Sequence, residues 1–112
     1  EMCIRDSQKS ICELLEKSVS ETYQHDVSFQ ELAEKFGFTP EYLGKIFKKY
    51  TGETPSKYLT KLRMNEAKRL LLNNPDMEIQ MIGELVGYKD GFYFSRAFKS
   101  YTGIQPSEFR NR

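Results

Sequence analysis

FKKYTGETPSKY, from Phe47 to Tyr58, and FKSYTGIQPSEF, from Phe98 to Phe109, are one pattern written twice, agreeing at the Phe, Lys, Tyr, Thr, Gly, Pro and Ser positions. A duplicated supersecondary unit is the simplest source of such self-similarity. Upstream the match pairs Leu32, Phe36, Gly37 and Phe38 with Ile82, Val86, Gly87 and Tyr88, and the second copy then carries one extra residue before its Phe-Lys. The punctuation has a mechanism. Gly52 and Gly103 follow aromatic-rich helical runs and can close a helix in the left-handed conformation, and three residues later Pro55 and Pro106 suit the first turn of the next helix. Ser28 with Glu31 forms a capping box ahead of Leu32 and Phe36, and Thr39 and Asp90 are candidate N-caps of the helices carrying the Phe-Lys pairs. Each copy therefore reads as helix, glycine turn, helix, stop.

Working outward, helical periodicity predicts seven helices and no strand. Ile11, Leu14, Leu15 and Val19 line a first helix over about 9–23, followed by a polar loop holding His25, the single histidine. The next two cover about 29–36 and 40–50. A long helix from Pro55 ends before Asn73, Asn74 and Pro75, with Tyr58, Leu59, Leu62, Ala67, Leu70 and Leu71 as its apolar positions. A fifth holds Ile79, Ile82, Leu85 and Val86, a sixth covers about 91–101, and a short seventh covers 106–110. The expected fold is all-α: two helix-turn-helix subdomains, about 28–51 and 79–102, joined by a connector helix at about 55–72.

The composition narrows function. At 112 residues the chain can bury one core or two small ones. No apolar run approaches the ~20 residues of a membrane span, so no membrane partner is expected. Cys3 and Cys12 have no His or second Cys at ligand spacing, which argues against a zinc site or disulfide framework and for a reducing, cytoplasmic setting. No cofactor, metal or catalytic residue is expected, because the chain offers one loop His, no phosphate-binding Gly loop and no paired acid-base motif. Charge is segregated: residues 1–38 carry −4, 39–72 carry +5 and 73–112 are neutral, within a net +1. The basic middle fits either a phosphate-facing surface or a solvated helix laced with salt bridges. Residues 1–7, EMCIRDS, back-translate into a sequence resembling a transposon-end adapter, so they are read as a non-native tag ahead of a domain at 8–112.

The runs SFQELAEKFGF, YLGKIFKKYTG, YLTKLRMNEAKRLL, IGELVGYKD, YFSRAFKSYTG and QPSEFR together resemble the DNA-binding domain of the AraC/XylS family of bacterial transcription regulators. The resemblance covers about 28–110, is densest over 82–110, and is strongest to members in which this is the C-terminal output domain, response regulators included. It implies that the second helix of each motif enters a major groove, with the two grooves successive and about 34 Å apart. The implied partners are double-stranded DNA, RNA polymerase and an upstream sensor or receiver domain. It also implies a connector position for Arg63 that is mainly structural.

Periodicity supplies the register. In the third helix Leu43, Ile46, Phe47 and Tyr50 form the buried stripe, leaving Glu41, Gly44, Lys45 and Lys48 outward. In the sixth, Phe94, Ala97, Phe98 and Tyr101 are buried, leaving Gly91, Phe92, Ser95, Arg96 and Lys99 outward. The family's base-contacting positions fall on these faces. Arg96 suits guanine O6 and N7, or a salt bridge to Glu84; Lys45 suits guanine or a phosphate; Ser95 suits a base, a phosphate or neither. Phe92 can lie on a thymine methyl or tuck against the fifth helix. Lys48, Lys49 and Lys99 suit phosphates. Acidic Glu41 is tolerable where it accepts from cytosine N4, and with side-chain-free Gly44 it makes the first motif the weaker reader. A helical protein-interaction module is the alternative function.

Overall fold

The computed structural model describes residues 4–25 and 27–111. Among them are seven helices and no strand: α1 (Ile4–Thr22), α2 (Phe29–Phe36), α3 (Pro40–Thr51), α4 (Pro55–Asn73), α5 (Ile79–Leu85), α6 (Gly91–Thr102) and α7 (Pro106–Arg110). The all-α expectation holds, and most helix ends fall within a residue or two of their expected positions. α1 departs most, beginning at Ile4 within the segment read as a tag; Glu1, Met2 and Cys3 lie outside the described residues.

The chain forms two compact units, comprising the described residues of 1–22 and 27–60 in the first and of 23–26 and 61–112 in the second. In the first, α1 and α2 pack on α3, and Cys12, Leu15, Val19, Ala33, Leu43, Ile46 and Phe47 are buried. Leu14, expected on the buried stripe of α1, is 52% exposed, and Cys12 is buried instead. Burial, aided by Glu16 and Glu13, raises the Cys12 thiol above its ordinary value and so disfavours the reactive thiolate. In the second unit Met64, Ala67, Leu71, Ile82, Val86, Tyr88, Phe94 and Phe98 form one cluster, with Phe109 packed against it.

The duplicated sequence produces duplicated chemistry. Thr51 Oγ1 donates to Phe47 O at 2.6 Å and accepts from Glu53 N at 3.3 Å; Thr102 Oγ1 donates to Phe98 O at 2.8 Å and accepts from Ile104 N at 3.3 Å. Between them sit Gly52 at φ 84° and Gly103 at φ 90°, the left-handed backbone that ends α3 and α6. The aromatic pair recurs as well. Phe47 meets Tyr58 edge-on at 5.4 Å and Phe98 meets Phe109 edge-on at 5.5 Å, so each proline-led helix returns an aromatic ring onto the helix before it.

Candidate nucleic-acid interface

Each candidate face is positioned from below by a cap and a short first helix. Ser28 Oγ accepts from Glu31 N at 3.2 Å to start α2, and Thr39 Oγ1 accepts from Tyr42 N at 3.1 Å to start α3. Between them Gly37, at φ 82°, makes the turn. In the second unit Asp90 Oδ1 accepts from Phe92 N at 2.8 Å at the start of α6. Gly83 of α5 is buried with Phe94 so close that an added Cβ would lie 2.8 Å from the Phe94 side chain. The first unit has Ala33 at the corresponding place, so the α5–α6 contact is the tighter of the two designs.

On α3, Glu41, Lys45, Lys48 and Lys49 are exposed, and Gly44 is half-exposed with open space where a Cβ would stand. Beneath them Leu43, Ile46 and Phe47 are buried and Tyr50 is half-buried. Lys49 Nζ lies 5.4 Å from the Tyr50 ring centroid, which gives it an intramolecular partner that Lys45 and Lys48 do not have among the described residues. On α6, Phe92 is 82% exposed, Arg96 and Lys99 are exposed and Ser95 is half-exposed. No hydrogen bond or ion pair joins Arg96 to Glu84 or to any other described residue. Its exposed guanidinium is therefore available to an external acceptor.

Two expectations on α6 are corrected. Gly91 does not face outward: it is buried, with the Gln80 side chain where its Cβ would be, so its role is to let the start of α6 lie against α5. Tyr101 does not complete the buried stripe but is 43% exposed, its ring under Lys68 Nζ at 5.6 Å.

Arg63 is structural, and more specifically than periodicity could indicate. Its Nε donates to Tyr23 O and a terminal nitrogen donates to His25 O, both at 2.9 Å, while its guanidinium lies 5.2 Å from the Tyr88 ring centroid. One side chain thereby fastens the 23–25 turn and the Tyr88 corner to α4. Burial raises the Tyr88 phenol above 10.0 and Arg63 partly opposes that shift. Arg110 plays a similar part at the end of α4, donating to Leu71 O at 3.3 Å, a last-turn carbonyl that the helix leaves open, and to Asn74 O at 3.2 Å, which also accepts from Met77 N. An open cleft of about 520 Å³ lined by Tyr23, Gln24, His25, Glu66, Leu70, Glu84 and Leu85 carries two carboxylates, which makes it a poor phosphate site. Among the described residues no group of His, Cys, Asp or Glu could hold a metal ion, and no helix is long and apolar enough to cross a membrane.

Comparison with known proteins places this architecture. The family profile described as a helix-turn-helix domain matches residues 32–112. The raffinose operon transcriptional regulatory protein RafR of Pediococcus pentosaceus is 38% identical over 92 residues, covering 82% of this chain and 33% of RafR. Among solved structures, the C-terminal domain of the response regulator AraT from Geobacillus stearothermophilus superposes with a TM-score of 0.85 at 32% identity, covering 90% of this chain and 84% of that one. The C-terminal domain of the two-component response regulator YesN from Fusobacterium nucleatum gives 0.83 at 35% identity, covering 88% and 95%. The chain spans well under half the length of the curated relatives it matches. With its two capped helix-turn-helix units and their solvent-facing second helices, the chain belongs to the AraC-type helix-turn-helix family, the DNA-binding domains of bacterial transcription regulators.

Proposed function

We propose that this domain reads double-stranded DNA sequence-specifically, laying α3 and α6 in successive major grooves about 34 Å apart. The observation that carries the reading is the paired outward faces: Glu41, Gly44, Lys45 and Lys48 on α3 occupy the same register as Phe92, Ser95, Arg96 and Lys99 on α6, and no cation among these is tied up by another described residue. Lys48 and Lys99 would anchor phosphates, with Lys49 at the margin. Arg96 would donate to guanine O6 and N7 together, discriminating against other bases by ~1–3 kcal/mol. Lys45 would serve guanine or phosphate, and Glu41 would accept from a cytosine N4 amino group. Gly91 acts from beneath, as a packing residue.

In this reading the domain is a cytoplasmic output module with no chemistry of its own. An upstream sensor or receiver domain supplies the signal, and RNA polymerase is the downstream partner. The likeness to the C-terminal domains of two response regulators supports the upstream receiver domain.

The test is a binding selection from random duplexes with residues 8–112, then affinity at two salt concentrations. Enrichment of two short motifs about one helical turn apart, with log K falling linearly with log salt, is the expected result. No enrichment together with salt-insensitive capture of a protein partner would establish the interaction module instead.

A further inference from the structure

Phe92 is the most exposed large hydrophobic side chain among the described residues, at 82%; the next, Tyr93, is at 57%. The fold does not need it there. Tyr93 has the Tyr88 ring 5.8 Å away, and Phe94 packs on Tyr88 and Phe98, but Phe92 has no ring partner among the described residues. Nor does it tuck against α5, the place its neighbour Gly91 takes by packing on Gln80. The helix start is nevertheless well defined, because the Phe92 amide is held by Asp90 Oδ1 at 2.8 Å. An unpartnered phenyl group on a fixed backbone thus stands one residue into the recognition helix, in line with Ser95, Arg96 and Lys99 at the i+3, i+4 and i+7 positions.

We propose that Phe92 determines specificity by reading the C5 methyl group of a thymine in the half-site bound by α6; this rests on the major-groove reading above. The thymine methyl is the apolar group that base edges display in the major groove, and the N-terminal residues of a recognition helix are the ones that reach those edges. Four residues of helix rise about 6 Å, roughly two base-pair steps, so this thymine lies within about two base pairs of the guanine read by Arg96. The same register on α3 holds Glu41, whose charged carboxylate would lose hydration against a methyl group where the Phe92 ring would not. Methyl dependence is therefore confined to one half-site, and the two half-sites differ in sequence.

Replacing thymine by deoxyuridine removes the methyl and leaves every hydrogen-bonding group in place. On the duplex selected above, each thymine is replaced in turn and the dissociation constant measured for the wild-type chain and for Phe92→Ser, whose fold is verified by circular dichroism. The wild type should lose about fourfold at one thymine in the α6 half-site, the fold-change equivalent of ~0.8 kcal/mol per buried methyl-sized group. Phe92→Ser should bind the two duplexes equally. A wild type indifferent to every replacement, a selected α6 half-site without thymine, or a methyl preference that survives Phe92→Ser would each overturn the assignment while leaving sequence-specific binding intact. Failure to select any sequence would overturn both.

Discussion

Replacing Arg63 by Met keeps the aliphatic stem and removes the fork that holds two backbone carbonyls. The half-buried hydrogen bond from Nε to Tyr23 O involves a charged donor, so its loss costs ~1.5–3 kcal/mol, and the more exposed bond to His25 O adds at the low end, ~0.5 kcal/mol. The contact with the Tyr88 ring contributes ~0.5–1 kcal/mol. The expected total is about 2.5–4.5 kcal/mol, a large share of the stability of a domain this size. Urea denaturation followed by circular dichroism should show the midpoint falling with the slope unchanged. In a Tyr88→Leu background the same replacement should cost less, by the share belonging to the ring contact. With the guanidinium gone, the Tyr88 phenol should also titrate higher, since Arg63 is the group that opposes the effect of burial. A loss below about 0.5 kcal/mol would refute the view that Arg63 fastens the 23–25 turn, because a clamp replaceable at that cost is only a surface arginine.

Gly87 sits at φ 109°, and a Cβ there would collide with the Tyr23 carbonyl oxygen and lie 2.8 Å from Arg63 Nε; Gly87→Ala should cost about 2–5 kcal/mol, read by the same denaturation. Stability should decline as pH rises above about 10. Tyr88 and Tyr23 are both raised from 10.0, chiefly by burial, so the unfolded chain loses those protons first and binds fewer than the native one. Tyr88→Phe should flatten the decline, and an unchanged pH profile in that variant would remove Tyr88 as a cause. Arg96→Ala should relax base preference at one position of the α6 half-site, whereas equal weakening on all sequences would move Arg96 among the phosphate contacts. Lys48→Ala should lower the salt slope by about one unit, with an unchanged slope showing that this lysine meets only solvent.

The fold was legible because its signals are local. Thr51-Gly52 and Thr102-Gly103 end helices through bonds to residues within four positions, and Ser28, Thr39 and Asp90 begin them within three. The buried stripes of α3 and α6 follow from a period of 3.6 residues until their last turn. There periodicity alone cannot tell that Tyr101 lies under Lys68 and stays exposed. Gly91 failed for a related reason: helical register assigns a side to each position, but a glycine's side is decided by what lies against it, here Gln80 of another helix. The Tyr23 and His25 contributions were illegible in principle, since what Arg63 grips is their backbone carbonyls, which any residue would supply. The recognition faces were legible as surfaces, and the chemistry of individual bases was not, because specificity belongs to the pair of partners.

Whether the two recognition helices occupy two major grooves is decided by methylation interference on the selected duplex, which probes guanine N7 in the major groove. Two clusters of interference about one helical turn apart are expected, with Arg96→Ala abolishing only a contact in the α6 cluster. One cluster alone, or binding indifferent to N7 methylation everywhere, would contradict two-groove binding.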